Sequence, residues 1–532
     1  MRTSLAGLLV ALLTLSTPSF ANEPAPLSAY GDLPGLEDMA ISHNGNRIAA
    51  ISRIKQERQL LVTENGSLIS ATPIGDMKVR GLDWAGDEII VLEKSDSYDL
   101  PFGFTATKAE LFSAIALKVA SKQHKVIFAD SPSLSRAVYG SYGLRKIAGR
   151  WTDYFAGIKY KRSPDRTQWD FDHGRPFLFA VDLETNQPKQ VAEAAKEGQS
   201  RDWLVDGQGN VAAIFDLSES GAWSITNAKG TEIARGADPM GNVGLISFGR
   251  TSDTVLYSLV DSQAGMTRWF EVPLSGGAQS EPIANVTVDG LLINQTDSTL
   301  LGYLTLEGTK TRPVLFDPRL QSVFGKVYRA FPKLDVTLVD STPDFGKFIV
   351  LTRGNGESGT YYTIDMAKLR ADTIGYERPS IHPDQVGPIS TVEYTAGDGL
   401  ELDGILTLPP GREPKNLPVV MLPHGGPSAH DIETFDWWAQ AFASRGYAVF
   451  QPNFRGSTNR DLAFRAAGDG QWGRKMQTDI SDGLTELVKR GIADPKRACI
   501  MGGRWGLCGA GGRDIAAGSL SLCGGGRAGE RP

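Results

Sequence analysis

The sequence has very little cysteine, the residue that forms disulfides and many structural zinc sites. Only three of its 532 residues are cysteine, and none of them occurs among the first 498 residues. A disulfide framework and a cysteine-based zinc site are therefore excluded for most of the chain. We expect no metal site and no cofactor.

A surplus of basic residues is also missing. The 55 lysines and arginines are outnumbered by 61 aspartates and glutamates, which gives a formal net charge of −6. A protein that binds nucleic acid without reading its sequence needs a basic surface to neutralise phosphates, so we do not expect a nucleic-acid partner. The hydrophobic share of 41% and the charged share of 22% are typical of a soluble globular protein.

Long apolar runs are absent except at the N-terminus. Residues 5–15 are nearly all apolar, they follow Arg2, and Ser19 and Ala21 place small residues where a signal peptidase reads them. The alternative is a membrane anchor, but the run is too short to cross about 30 Å of hydrocarbon. We therefore predict a signal peptide over residues 1–21, cleavage near Ala21, and an exported protein, periplasmic or secreted, with no membrane segment.

Glycine, by contrast, is abundant, and its 60 residues favour β structure rich in turns. Short apolar strands follow polar turns from residue 30 to about residue 375, and clear copies of this pattern begin at 41, 82, 204, 246, 292 and 341. The interval from 82 to 204 has room for two further copies. A period of about 40–50 residues is typical of β-propeller blades, whereas sandwich domains are about 100 residues long. We predict an all-β propeller over residues 22–380 with seven blades, and eight blades as the alternative.

The pattern changes near residue 380. A linker rich in proline and glycine at 381–388 is followed by apolar strands that alternate with helical segments. The strands are predicted at 419–422, 448–452 and 497–501, and the helices at 435–445 and 479–489. Such alternation predicts a mostly parallel α/β sheet.

The first chemical signal lies in the turn after the first of these strands. Residues 422–427 read Leu-Pro-His-Gly-Gly-Pro, and in α/β-hydrolases a glycine turn at this point offers a backbone N–H to a developing oxyanion. Taken alone, the motif is equally consistent with a simple strand-exit loop. It is followed by Asn-Phe-Arg-Gly-Ser-Thr at 453–458, Gly-Gln-Trp-Gly at 470–473 and Asp-Ile-Ser-Asp-Gly at 479–483.

With these segments, residues 390–503 closely resemble the prolyl oligopeptidase family of serine peptidases, especially its acylaminoacyl-peptidase and dipeptidyl-peptidase-like branch. That family places a β-propeller before an α/β-hydrolase domain, so residues 381–503 would be the N-terminal part of the catalytic domain. The resemblance implies hydrolysis of short peptides by an activated serine, with a propeller that restricts access by folded proteins. It also implies that Gly426 donates one N–H of the oxyanion hole. Release of proline peptides, acyl amino acids or dipeptides all remain open.

Three polar positions in this region have structural interpretations. We expect Arg455 to hold a carboxylate such as Asp479 in a charge-assisted pair. Asp479 and Asp482 are spaced i, i+3 near the predicted start of a helix, where they would stabilise its dipole. His430 is expected to be a surface residue and not a catalytic base.

The nucleophile is missing from the place where the family carries it. The expected elbow, Gly-x-Ser-x-Gly, is here Gly502-Gly503-Arg504-Trp505-Gly506. Gly502 and Gly506 fit the turn, but arginine occupies the position of the serine, and a guanidinium stays protonated and cannot attack a carbonyl. In the family an aspartate and a histidine follow the serine, whereas the last of the six histidines here is His430. We therefore expect a peptidase by family whose chain, as written, is inactive.

The segment 504–532 has an unusual composition for a hydrolase sheet. Residues 502–532 include 11 glycines and no valine, phenylalanine or tyrosine. A flexible glycine-rich tail is one interpretation. The other is a frameshift near 503–505, in the gene or in its sequencing, because a one-base shift of the codons that follow permits Gly-Gly-Tyr-Ala-Ala-Leu-Ala, which resembles the family after its nucleophile. The alternative function is a non-catalytic, exported propeller that serves as a binding module for peptides or other partners.

Overall fold

The computed structural model describes residues 23–502 apart from 55–56, 100–106, 166, 262–265, 285, 287 and 427–428, together with the backbone of residues 521–522. The predicted signal peptide, residues 1–21, lies outside the described residues. Within them, no helix is long and apolar enough to cross a membrane.

The first part of the chain is a succession of antiparallel sheets. Blade 1 contains β1 (Leu36–Ile41), β2 (Arg47–Ile54), β3 (Glu57–Glu64) and β4 (Ser67–Pro73). Blade 2 contains β5 (Lys78–Ala85), β6 (Ile89–Asp99), β7 (Lys108–Lys118) and β8 (His124–Val126). Blade 3 contains β9 (Ser141–Ile147), β10 (Arg150–Gly157), β13 (Phe177–Asp182) and β14 (Gln187–Ala192), and the separate hairpin β11 (Tyr160–Arg162) and β12 (Trp169–Phe171) is inserted into it.

The remaining blades repeat this plan with shorter sheets in the middle. Blade 4 contains β15 (Gln199–Val205), β16 (Val211–Ser218), β17 (Ala222–Asn227) and β18 (Glu232–Ala237). Blade 5 contains β19 (Val243–Phe248), β20 (Thr254–Asp261) and β21 (Met266–Pro273), and blade 6 contains β22 (Gly290–Ile293), β23 (Leu300–Glu307) and β24 (Lys310–Leu315). Blade 7 contains β25 (Leu334–Ser341), β26 (Lys347–Gly354), β27 (Glu357–Asp365) and β28 (Arg370–Tyr376).

The described strands thus form a seven-bladed propeller, as predicted, and the alternative of eight blades is wrong. The interval from 82 to 204 holds one further blade and not two. The remaining residues of this interval lengthen two existing blades. In blade 2, β6 and β7 have 11 residues each. In blade 3, the hairpin of β11 and β12 is inserted between the second and third strands.

The first and last blades meet through side chains and not through a shared strand. Met39 and Ile41 of β1 pack with Ile349 and Leu351 of β26 in one buried apolar cluster. Beside this cluster, the Ile41 N–H donates to Asp340 Oδ2 over 2.7 Å. Lys347 Nζ of β26 also donates to the Gly45 carbonyl over 2.7 Å. The ring is therefore closed by burial of apolar surface and by several hydrogen bonds between the two blades.

Two helices lie outside this repeat. Helix α2 (Pro318–Arg329) follows blade 6 and buries Phe324, Val327 and Tyr328. The short helix α1 (Leu27–Gly31) precedes blade 1 and packs near the second unit, where Tyr30 shares an apolar cluster with Phe435.

The second unit is the first part of an α/β-hydrolase domain. Its sheet contains β29 (Ile389–Thr395), β30 (Glu401–Thr407), β31 (Leu417–Met421), β32 (Ala448–Asn453), β33 (Ala493–Ile500) and β34 (Ser521–Leu522). The order of the described strands is β29-β30-β32-β31-β33-β34, and β32, β31, β33 and β34 run parallel to one another. The helices are α3 (Trp437–Ala443), α4 (Leu462–Ala466) and α5 (Lys475–Lys489), and a 3₁₀ turn spans Pro383–Gln385.

Two helix boundaries differ from the sequence prediction. Helix α3 starts after 435 because the Asp436 carboxylate accepts the Ala439 N–H over 2.7 Å and so caps the first turn. Helix α5 begins at Lys475, four residues before the predicted start. Its apolar face, which includes Ile480, Leu484 and Leu487, packs into the core of the sheet.

Candidate active site

The carboxyl ends of two neighbouring parallel strands meet at one edge of the sheet. β31 and β33 pair in parallel, and just beyond them the Met501 N–H donates to the Met421 carbonyl over 2.9 Å. The turn 422–426 and the half-buried Gly502 therefore leave the sheet side by side. Ligands of open α/β sheets bind outside this edge. Arg504 and Gly506 lie outside the described residues.

Gly426 has the freedom that the turn requires. Its φ is +66°, a left-handed conformation that a residue with a Cβ adopts only with strain. A Cβ placed on Gly426 would meet no atom within 4 Å among the described residues.

His424 belongs to this turn, and its side chain contacts Ser457 of the loop after β32. The His424 Nε2 is 2.8 Å from Ser457 Oγ, and its ring stacks on Phe454 with centroids 4.5 Å apart. The single hydroxyl proton of Ser457 is donated to the Phe454 carbonyl over 2.6 Å. Nε2 must therefore carry the proton of the imidazole and donate it to Ser457.

This proton arrangement decides what the pair can do. Burial lowers the pKa of His424 to about 4, so the ring is neutral at pH 7. Ser457 itself is fully buried. A histidine that donates to a buried serine does not activate it as a nucleophile, so the pair positions the turn.

Arg455 holds the next segment against helix α5. Its Nε and Nη2 donate to the two carboxylate oxygens of Asp479 over 2.8 and 2.7 Å, and its backbone N–H adds a third bond of 3.0 Å. Nη1 and Nη2 also contact the two oxygens of Asp398, each at 2.9 Å. With Lys475, which bonds Asp398 over 2.6 Å, Arg455 holds the pKa of Asp398 well below its usual range.

The roles expected for the helix aspartates need correction. Asp479 lies inside α5 and not at its start, since the helix begins at Lys475, and its fully buried carboxylate is taken up by Arg455. Asp482 accepts the Gly397 N–H over 2.8 Å. Neither carboxylate caps the helix, so both tie α5 to loops of the sheet.

A second polar cluster, which no motif or spacing in the sequence indicated, holds the loop after β32 in place. The buried Asp403 accepts from Asn453 over 2.8 Å, from Asn459 over 2.9 and 3.1 Å, and from Arg460 over 2.7 and 3.1 Å. Asn453 also accepts the Asp431 N–H over 2.8 Å. The loops that follow β31 and β32 are therefore joined to each other through one carboxylate.

His430 is not the surface residue that was expected. Its Nδ1 lies 2.8 Å from Thr458 Oγ1, and its Nε2 lies 3.8 Å from Asp289 Oδ1 of the propeller. Only 12% of its side chain is exposed. The misassignment arose because both partners are distant in sequence and lie on other elements.

Direct contacts join the two units around the site. The Asn355 amide donates to the Ile389 carbonyl over 2.9 Å and accepts the Ile389 N–H over 2.6 Å. Thr434 donates to Asp335 over 3.1 Å. The propeller face that carries the loop at residue 355 thus covers the hydrolase part. Within the described residues, no three histidine, cysteine or acidic side chains are grouped as metal ligands.

Comparison with known proteins agrees with this arrangement. Residues 433–506 match the model of the prolyl oligopeptidase family. Over these residues the chain is similar to that family. It is 32% identical over 197 residues to dipeptidyl aminopeptidase BIII of Pseudoxanthomonas mexicana, an alignment that covers 36% of this chain and 28% of that protein. The chain thus spans less than a third of the length of this curated peptidase.

Solved structures of acylaminoacyl peptidases share the fold over most of the chain. Acylaminoacyl peptidase of Pyrococcus horikoshii superposes with a TM-score of 0.59 at 15% identity and covers 90% of this chain and 75% of its own. An acylaminoacyl peptidase in complex with Z-Gly-Gly-Phe-chloromethyl ketone superposes with a TM-score of 0.57, again at 15% identity and over 90% and 75% of the two chains. At this identity the similarity shows the fold alone.

Proposed function

We propose that this protein is built as a serine peptidase that cleaves short peptides between the propeller and the hydrolase sheet. The observation that carries the proposal is the meeting of the Gly426 turn with the end of β33 at one edge of the sheet. An acyl-transfer enzyme of this fold needs the oxyanion turn and the nucleophile elbow at these two places. The relatives are named as peptidases, and one was solved with a peptide chloromethyl ketone.

In such a site a serine at position 504 would attack the scissile carbonyl carbon. The Gly426 N–H and the N–H of the residue after the nucleophile would then stabilise the tetrahedral oxyanion. A histidine would take the serine proton and return it to the leaving amine, and an aspartate would orient the histidine. Water would then release the acyl group. The described residues contribute the oxyanion turn, and Arg455 and Asp403 hold the loop beside it.

The chain as written has Arg504 in place of the nucleophile. A guanidinium has no lone pair available at ordinary pH and cannot form an acyl-enzyme. We therefore propose that this chain does not catalyse peptide hydrolysis and that a one-base shift near codons 503–505 accounts for the substitution. Sequencing the DNA across codons 495–515 tests the shift, and an unambiguous sequence that agrees with Arg504 and the residues after it contradicts it.

Activity is tested separately with a fluorophosphonate probe, which labels only an activated serine. We expect no labelling of the chain with Arg504 and labelling of the product of a gene with the frame restored. The matched control is the restored protein with its elbow serine changed to alanine. If the restored protein folds and is not labelled, the peptidase proposal is wrong.

The alternative, a non-catalytic exported propeller that binds peptides, is favoured by one feature. The propeller encloses a cavity of about 880 Å³ lined with charged and aromatic side chains, a volume within the range of ligand sites. Peptide binding by the chain with Arg504 would support this alternative whether or not a restored enzyme is active.

A further inference from the structure

The cavity at the centre of the propeller has an unusual balance of charge. Five of the side chains that line it are carboxylates: Asp83, Glu93, Asp153, Asp202 and Asp340. Asp83 on β5 and Glu93 on β6 lie two positions apart in the register of neighbouring strands, so both project from the same face of blade 2. The five acidic groups come from blades 2, 3, 4 and 7.

These carboxylates have few partners. Within the described part of the chain, neither Asp83 nor Glu93 makes a side-chain hydrogen bond or ion pair. Asp153 is 2% exposed and accepts only the Tyr154 N–H, over 2.8 Å. Asp340 accepts the N–H groups of Ile41 and Ser341, both at 2.7 Å. Buried or enclosed carboxylates are normally paired with cations, whereas the side-chain partners recorded here are neutral, Gln295 for Asp340 and Tyr142 for Asp202.

The titration behaviour agrees with missing counter-charge. Enclosure by protein, and then the charge of Glu93, raise the pKa of Asp83 to about 6. Enclosure also raises the pKa of Asp340 to about 7, against the opposing effect of its backbone donors, and that of Asp153 well above its usual range. Like charges that share a site without a cation oppose each other's ionisation.

In the described part of the chain, the cations that line the cavity form no ion pair with these carboxylates, although Arg145 lies close enough to Asp153 to lower the pKa of that carboxyl slightly against the effect of burial. The Arg145 guanidinium donates to the carbonyls of Leu144, Val205 and Asp206 and to Ser298 Oγ. Lys146 Nζ lies 5.9 Å from the centre of the Trp151 ring. Burial lowers the pKa of His43, whose ring contacts Trp151.

A second feature points to a ligand independently of the acidic groups. Trp203 lines the same cavity and is 3% exposed, yet its Nε1–H has no acceptor among the described residues. A buried indole N–H normally has a hydrogen-bond partner. The cavity wall thus offers one unused donor beside several carboxylates without cations.

We propose that the propeller cavity binds a short peptide that carries a lysine or arginine side chain. The cationic group would be received by Asp83, Glu93 and Asp340, and a peptide carbonyl would accept from Trp203 Nε1. The choice of a peptide as ligand rests on the proposed function, whereas the choice of a cation rests on the cavity alone. Since no three acidic or histidine side chains in the described part are arranged as metal ligands, a larger cation matches their spacing better than a metal ion.

The test uses the full chain with Arg504, so it needs no turnover. Titration calorimetry at about pH 7.5 and low salt compares three peptides with blocked termini: Ac-Ala-Lys-Ala-Lys-Ala-amide and its counterparts with glutamine or glutamate in place of lysine. We expect measurable affinity for the lysine peptide only. The affinity should rise from about pH 5.5 to pH 8, as Asp83 and Asp340 lose their protons.

The double variant Asp83→Asn, Glu93→Gln should weaken binding of the lysine peptide by at least about tenfold. The matched control, Asp76→Asn with Glu219→Gln, removes the same charge from exposed positions and should bind like the parent. Thermal melts verify that both variants fold. Absence of binding, equal binding of the three peptides, or an unchanged affinity in the folded double variant overturns the proposal. Failure of the restored enzyme to react with fluorophosphonate would leave the binding result unaffected.

Discussion

The guanidinium of Arg455 donates two hydrogen bonds, of 2.8 and 2.7 Å, to the two carboxylate oxygens of Asp479. Asp479 is fully buried and only 6% of the Arg455 side chain is exposed. The pair joins the loop after β32 to helix α5, and the same loop supplies Ser457 to His424 of the Gly426 turn. The geometry of the turn therefore depends on an ion pair one loop away.

Removal of the cation should destabilise the hydrolase part strongly. Arg455→Met leaves the buried Asp479 without its cation and with only the backbone N–H of residue 455 from this pairing, which costs about 3–5 kcal/mol. Urea unfolding followed by helical ellipticity measures the loss, since α3, α4 and α5 lie in this unit. As a control, Lys489→Met removes a side chain that is 77% exposed from its pair with Glu486, at a cost of less than about 1 kcal/mol. Equal losses in the two variants would contradict the structural role of Arg455.

His424 should remain neutral far below the usual pKa of histidine. Burial lowers its pKa to about 4, and the chain has only six histidines, so NMR titration of ring-labelled histidine can follow each one. His424→Gln assigns the signal. A His424 resonance that titrates near pH 6.5 would show that the ring is solvated and not buried against Phe454.

The same shift has a consequence for stability. Between about pH 6.5 and pH 4 the unfolded chain takes up a proton on His424 that the folded chain does not, so stability falls as the pH falls through this window. The slope from this one group is at most about 1.4 kcal/mol per pH unit. The difference in unfolding free energy between the parent and His424→Gln, measured at pH 7 and pH 4.5, should shrink toward the acidic end.

The buried carboxylates of the propeller predict the opposite trend. Burial raises the pKa of Asp153 well above its usual range, so the folded chain holds a proton that the unfolded chain loses above about pH 4, and stability falls as the pH rises. Asp153→Asn removes this cost and keeps an oxygen for the Tyr154 N–H. Its melting temperature should exceed that of the parent by at least about 2 °C at pH 8. No difference at pH 8 would contradict the burial of an unpaired carboxylate.

Export can be tested on the protein recovered from its native cells. We propose that the signal peptide is removed after Ala21, so N-terminal sequencing of the periplasmic or secreted protein should begin at Asn22. Replacement of Leu8 and Leu9 by arginine should retain the chain in the cytoplasm. A mature protein that still begins at Met1 would contradict this proposal.

Local pattern predicted the propeller well because each blade is made of strands that are adjacent in sequence. The alternation of apolar residues and the glycine turns are visible without any long-range contact. The misread interval from 82 to 204 shows the limit of this approach. The extended hairpin of β6 and β7 and the inserted pair β11 and β12 use the same residue types as a blade, so only their packing distinguishes them.

The contacts between side chains in the site were harder to predict from the sequence than the propeller. Glycine at 426 could be recognised from its motif, but the proton arrangement of His424 and Ser457 depends on a carbonyl contact that leaves no mark in the sequence. Asp403 accepts hydrogen bonds from Asn453, Asn459 and Arg460, each of which is at least 50 residues away in sequence. No spacing rule connects residues so far apart. His430 was misjudged for the same reason.

Fluorophosphonate labelling of the purified chain, beside the product of a frame-restored gene, tests the central claim most directly. The account predicts no label on the chain that carries Arg504. It predicts one label on the restored protein, lost when its elbow serine is changed to alanine. Stoichiometric labelling of the chain with Arg504 at a serine would contradict the account, because it would mean that an activated nucleophile exists although the elbow position carries arginine.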